Sequence, residues 1–400
     1  MKKLLLPLAF ASIAATSWAV TPLWLRDVKI SPDGSSIAFT YKGDIYKVAA
    51  NGGTAQRLTT QPSYESNPVW SPDGKSIAFA SDRNGNMDVY LMSANGGKAT
   101  RLTTNSTNEI PESFTPDGKN VLFSAAIQDV ASSAQFPSSR LTEVYSVPVT
   151  GGRITQLLST PALQISYSPD GDFFLYNDQK GFEDEWRKHH ISSVTRDVWR
   201  YDTKTGKHTN LTNRAGEDRN PVMSVDGKTV YLLSERNGNT FNVYSFPIDN
   251  PSAVKQLTNF KTHPVRFLSQ GADGTLAFTY DGEIYTKKGD AAPRKVNIDL
   301  MLDEEKPIKK YSVSSSNEAT VSPDGKQVAF VNRGELFVTS VEYPTTKQIT
   351  STPAAERQPA WAPDNRTIAY TSEREGHPNI YVAKINRKDD ANFPLSLIHI

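Results

Sequence analysis

Histidines are the first residues to question in a chain of 400 residues that contains no cysteine. With no thiolate available, a nucleophile must be a hydroxyl, a carboxylate or an amine, and a metal must take His and carboxylate ligands. The six histidines are His189, His190, His208, His263, His377 and His399. His189 and His190 are adjacent, so on a strand they point to opposite faces and make a poor metal pair. No G-x-S-x-G elbow, H-E-x-x-H pair or phosphate loop occurs, so no catalytic residue is assigned and no cofactor or metal is expected. A cationic cluster is the better candidate. Trp186, Arg187, Lys188 and Arg196 lie in one segment and Arg219 follows in the next connection. Guanidinium forks bind carboxylates bidentately, which suits the C-terminus of a peptide. The other reading open to these residues is a solvated or packing loop, with the arginines paired to Glu183, Asp184 or Glu217.

The acidic residues are numerous but already committed. Asp33, Asp73, Asp117, Asp170, Asp226 and Asp324 each sit before glycine in a tight turn, with related turns at Asp273 and Asp364. Asp caps its own turn and Gly supplies the positive φ, so these aspartates read as structural. Around each turn the same unit recurs. In the second copy, Asn67–Trp70, Ile77–Ser81 and Asp88–Ser93 are β-branched, aromatic or alternating, and Thr100–Thr103 closes the unit. Such pieces bounded by Asp-Gly, Asn-Gly and Gly-Gly are four short strands joined by hairpins. Successive anchors are 40 to 56 residues apart. A four-stranded unit at that period predicts an all-β fold, a β-propeller of four-stranded blades.

Eight anchors need not form one ring. Residues 299–310, from Asp299 through Glu304, Glu305 and Lys306 to Lys310, match no strand of the unit and read as a linker. The expected parse is a six-bladed ring over 21–298, then the first two blades of a second, truncated propeller over 311–392. The eighth unit lacks a fourth strand of the Leu-Thr type, and 393–400 reads as an anomalous apolar tail. Anchor-to-closing-Leu distances of 25 and 29 residues in units one and two grow to 40 and 41 in units three and four. The extra length falls between the second and third strands, at about 125–142 and 179–196, so adjacent blades extend long loops on one face, where loops often carry function.

At the N-terminus Lys2 and Lys3 precede an apolar run from Leu4 to Ala15, and Ser17-Trp18-Ala19 follows. This pattern reads as a signal peptide over 1–19 with cleavage expected near Ala19, and the run is too short to span a bilayer. A periplasmic protein with no membrane association is expected. The 44 basic and 43 acidic residues nearly balance, which argues against a sequence-independent grip on nucleic acid.

The repeat resembles the TolB-like propeller unit in its Pro-Asp-Gly turn followed by Ile-Ala-Phe and Asp-Val-Tyr. The segment from Lys180 through Trp186 to His190, then Ser192 to Trp199, and Gly216 to Pro221, resembles the tricorn-like serine peptidases of bacteria. That resemblance covers the chain to about Phe393. It implies a six-bladed propeller leading into a seven-bladed one, followed by PDZ and serine-peptidase domains missing from this chain. It further implies oligopeptide substrates, a substrate-gating role for the propellers and a homo-oligomeric full-length protein. A stand-alone TolB-like periplasmic binding propeller without enzymatic activity is the alternative.

Overall fold

Turn chemistry lays down the blades. In each Pro-Asp-Gly turn the aspartate accepts a hydroxyl hydrogen bond from two residues earlier, as from Ser71 Oγ at 2.6 Å, and the backbone N–H of Lys75 at 3.0 Å. The same pair of bonds forms at Asp117, Asp170, Asp226 and Asp324. The hydroxyl bond holds each of these carboxyls below the ordinary range. Asp33 carries the same hydroxyl and backbone bonds, from Ser31 and Ser35. Gly74, at φ +70°, takes the left-handed conformation that a side chain would strain.

The structure is a computed structural model that describes residues 19–127, 141–182, 186, 191–238, 240–301, 316, 318–395 and 398–399. Among the described residues it contains eight sheets, seven of them antiparallel and four-stranded in chain order, and one in which the four antiparallel strands of blade 1 carry two further strands on their outer edge. In blade 2 these strands are Glu65–Trp70, Ser76–Ser81, Asp88–Ser93 and Thr100–Arg101. Ile77, Ala78, Phe79 and Val89 are fully buried, because the central strands of a blade are covered on both faces by neighbouring blades.

Six blades close on themselves. The first strand of blade 1, Arg26–Ile30, packs against the first and second strands of blade 6, Arg266–Gln270 and Thr275–Tyr280. At this junction Ser269 Oγ accepts the Ile30 N–H at 3.0 Å, and Gly282 O accepts that of Leu25 at 2.9 Å. A further tie departs from the expected boundary. Ile298–Met301 runs parallel to the outer strand of blade 1, pairing Leu300 with Ala55, and Ala19–Val20 pairs antiparallel outside it. The linker expected from residue 299 is therefore corrected: Asp299–Met301 is strand, with Leu300 fully buried among Leu25, Val28 and Ile298. Residues 302–310 of that expected linker, and the expected signal peptide up to Trp18, lie outside the described residues.

Blades 7 and 8 pack on each other through Ala329, Leu336, Ile368 and Tyr370. The expectation that blade 8 lacks a fourth strand is also corrected, since Ile398–His399 pairs with Lys384 and Ile385. The tail expected to be anomalous is anchored by Phe393, which is fully buried, lies 5.4 Å from the Trp361 ring and donates its N–H to Gln327 Oε1 at 2.9 Å. Blade 7 meets blade 1 through Arg333, whose Nη2 lies 2.8 Å from Asp44 Oδ2, through a Lys42–Glu335 ion pair and through Tyr41 OH on Pro353 O.

Candidate functional site: the mouth of the six-bladed ring

Each first strand faces the ring axis, and a bulge near its start turns one residue into the channel. Asp27, Asn67, Gln164, Asn220 and Phe267 hold this position with φ between +52° and +57°. Asp and Asn tolerate this left-handed conformation best among side-chain residues, which accounts for their recurrence here. The bulge frees the backbone N–H of one blade to bond the previous blade. Asp27 Oδ2 accepts from Asn67 N at 3.3 Å, Glu112 Oε2 from Gln164 N at 2.9 Å and Gln164 Oε1 from Asn220 N at 2.7 Å. Asn220 continues the series, accepting from Leu268 N at 2.8 Å and donating to Leu268 O at 3.1 Å. These staples line a channel of about 920 Å³ whose wall mixes amide and hydroxyl groups with apolar side chains. Lys29 lies in that wall, its pKa lowered by burial, in the field of Glu112 and Asp27.

At the face where the first strands begin, Trp186 caps the channel. It comes from the long connection between Phe173–Asp178 and Val198–Asp202 of blade 4. Its ring stacks on Trp24 at 5.8 Å and meets the edge of Phe267 at 6.1 Å. The Arg26 and Arg266 guanidinium groups lie 4.7 and 5.0 Å from its centroid, and Arg266 Nη2 donates to the Trp186 carbonyl at 2.9 Å. Burial lowers the Arg26 pKa, opposed by the fields of Tyr64, Asp27 and Glu373.

Beyond the mouth lies a second cavity of about 390 Å³ between blade 1 and blades 7 and 8, and Arg26 and Tyr64 line both spaces. Glu318 bridges the two strands of its wall, accepting from Arg357 Nη2 at 2.7 Å and from Gln358 N at 2.9 Å. Near Arg26 and Arg357 stands Glu373, whose pKa burial pushes up to about 8 against the pull of those two arginines, with Asp281 adding to the rise.

The expected cationic patch is only partly assembled. Trp186 is at the mouth, and Arg187 and Lys188 lie outside the described residues. Arg219, expected on an exposed loop, and Arg196, at the end of the long loop, are buried at 6% and 3% exposure. Both face Glu217 Oε1, at 3.9 and 3.8 Å, and the Arg219 guanidinium lies 4.7 Å from the Phe241 ring. These two arginines cement blades 4 and 5, and neither lines the channel. Arginines elsewhere in the repeat do similar structural work. Arg83, Arg236 and Arg374 reach back to Glu65, Asp218 and Glu356 while lying over Tyr90, Tyr244 and Tyr381. Sequence reasoning missed Trp24, Arg26, Arg266 and Phe267. The available signal was Phe267, an aromatic at a position where four other blades of the ring carry Asp, Asn or Gln.

Comparison with known proteins agrees with this architecture. The family model of the tricorn protease N-terminal β-propeller domain matches residues 22–292. The uncharacterized peptidase YuxL of Bacillus subtilis is 25% identical over 249 residues, covering 62% of this chain and 33% of that protein. An uncharacterized protein of Agrobacterium fabrum is 31% identical over 216 residues, 52% of this chain and 66% of its own length. The crystal structure of the tricorn protease superposes with a TM-score of 0.59 at 21% identity, covering 93% of this chain and 36% of that one. That last likeness is one of fold. This chain thus spans about a third of YuxL and of the tricorn protease. With the matched region accounting for the closed ring nearly end to end, the chain belongs to the tricorn protease N-terminal β-propeller family.

Proposed function

We propose that these residues are the substrate-gating propeller region of an exported, tricorn-like serine peptidase acting on oligopeptides. Hydrolysis then belongs to PDZ and peptidase domains outside these 400 residues, and the ring selects what passes toward them. One observation carries the reading: a channel of about 920 Å³ with a mixed polar and apolar wall runs through the ring to a mouth capped by Trp186. Side-chain amides and hydroxyls such as Asn67, Ser113 and Gln164 offer the donors and acceptors that an extended peptide backbone needs. Arg26 and Tyr64 belong to both the channel and the cavity beyond it, so a segment leaving the ring enters the space between the two propeller units. The basic, then apolar, then small-residue N-terminus supports export to the periplasm.

The absence of cysteine supplies a clean test. Ser113 lines the channel, so Ser113→Cys can be labelled there with a bulky maleimide, and Lys119→Cys carries the same label on an exposed turn. Calorimetric titration with a soluble octapeptide of mixed sequence is expected to show binding to the unlabelled protein and to labelled Lys119→Cys. Labelled Ser113→Cys should lose it. Undiminished binding to labelled Ser113→Cys, or no binding to any form, overturns the proposal.

A further inference from the structure

Trp186 belongs to blade 4, whereas the rings and guanidinium groups it packs against belong to blades 1 and 6. In a six-bladed ring the fourth blade stands opposite the first, so this side chain lies across the channel axis. Its partners are positioned without it. Arg26 pairs with Thr40 and Arg266 with Thr279 at the starts of their sheets, and Phe267 is turned inward by its bulge at φ +56°. Trp24 is held by its neighbour Leu25, whose N–H bonds Gly282 O. Three of these four groups are thus fixed by strands and the fourth, Trp24, by the bonded segment just before one, around a ring that arrives on a long connection and remains 38% exposed.

Phe267 shows that this cradle is a departure from the repeat. At its position Asp27, Gln164 and Asn220 staple one blade to the next, a bond that a phenyl ring cannot make. Blade 6 secures blade 1 through Ser269 instead and presents the ring to the mouth. A second observation points to a ligand. Trp24 Nε1 and Arg26 Nε are buried donors with no hydrogen-bond acceptor among the described residues. Buried N–H groups ordinarily find an acceptor, and a peptide carbonyl next to an inserted side chain is one.

We propose that Trp24, Arg26, Arg266 and Phe267 form a binding site for an aromatic side chain, and that Trp186 is its resident occupant, displaced by an aromatic residue of the ligand. Face-stacking and cation–π attraction favour a flat, electron-rich ring over an aliphatic chain of similar area. That the ring arrives on a peptide rests on the proposed function; the cradle's preference for an aromatic group does not.

The test uses N-acetyltryptophanamide and N-acetylleucinamide as probes, in calorimetric titrations of the unaltered chain, Trp186→Ala and Trp186→Leu. Removal of the resident ring is expected to tighten N-acetyltryptophanamide binding about tenfold or more in both variants, with no comparable gain for N-acetylleucinamide. Adding Trp24→Ala to Trp186→Ala should abolish the gain, and circular dichroism confirms that each variant is folded. Equal affinity before and after removal of Trp186, absence of binding to the vacated cradle, or an equal gain for the leucine probe overturns the inference. Octapeptide binding with no aromatic preference would sink the cradle alone. Aromatic binding to Trp186→Ala with no octapeptide entering the channel would sink the gating reading alone.

Discussion

Leu300 offers a sharp test of how the ring is closed. It is fully buried beside the outer strand of blade 1, whereas its neighbour Met301 is 65% exposed. Leu300→Ala removes a branched side chain from the cluster that joins Leu25, Val28 and Ile30 of blade 1 to Ala277 and Ile284 of blade 6. Buried Leu→Ala changes cost about 3–5 kcal/mol, and the position beside the outer strand leaves room for partial collapse, so about 3 kcal/mol is expected. For a ring of this size each kcal/mol moves Tm by about 2–4 °C, so the melting temperature should fall by about 6–12 °C. Met301→Ala alters an exposed side chain in the same strand and should stay within about 0.5 kcal/mol. Differential scanning calorimetry of the two variants beside the unaltered chain reads both values. If residues 299–301 were a solvated linker, the two substitutions would be equally mild. That outcome would refute the parallel tie as part of the closed ring.

Other expectations follow from particular groups. Glu373 has its pKa raised to about 8 from an ordinary 4.5, so the unfolded chain holds fewer protons between those values, and the stability this group contributes falls as pH rises from about 4.5 to about 8. Glu373→Gln should flatten that part of the stability–pH curve in urea titrations, and an unchanged slope would count against its burial. Arg219→Ala leaves Glu217 buried with one long contact fewer, and should lower stability by about 3 kcal/mol without first weakening peptide binding; parallel melts and titrations separate the two. The purified chain should neither hydrolyse peptides nor be labelled by a serine-directed phosphonate, and stoichiometric labelling would expose a nucleophile within these residues. Fractionation of expressing cells should find the chain in the periplasm, shortened near Ala19; full-length protein in the cytoplasm would reverse the export reading.

What was legible in the sequence was local. The Ser-Pro-Asp-Gly turn is specified by residues within a few positions of one another, so Asp73 and its counterparts announce the blades directly. Ring closure is different in kind. Ile298-Asp299-Leu300-Met301 alternates as a strand should, but its partner Gly53–Arg57 is distant in sequence though adjacent in the closed ring, and no turn residue marks a parallel pairing between them. Arg219 read as exposed because charged residues usually are; Glu217 was legible as one possible partner, but that it is this carboxylate, and that Phe241 lies against the Arg219 guanidinium, only the fold supplies.

Glu373 shows most plainly why position in the repeat and role in the molecule separate. Asp82 and Glu235 hold the equivalent place in blades 2 and 5, where each accepts the N–H of the residue preceding its own blade's first strand, from Tyr64 at 2.7 Å and Glu217 at 3.0 Å. Glu373 has the same flanking serine and arginine, yet it stands where blade 8 approaches the mouth of the first ring and feels Arg26 and Arg357. The repeat therefore specifies a carboxylate that caps a strand, and the approach of blade 8 to the ring reassigns it. Arg26 undergoes the same reassignment from the other side, as a first-strand residue that packs on Trp186 while lining the cavity toward blades 7 and 8. Glu373 and the Trp186 ring thus both lie near one guanidinium, at the place where the mouth of the ring meets the cavity toward blades 7 and 8.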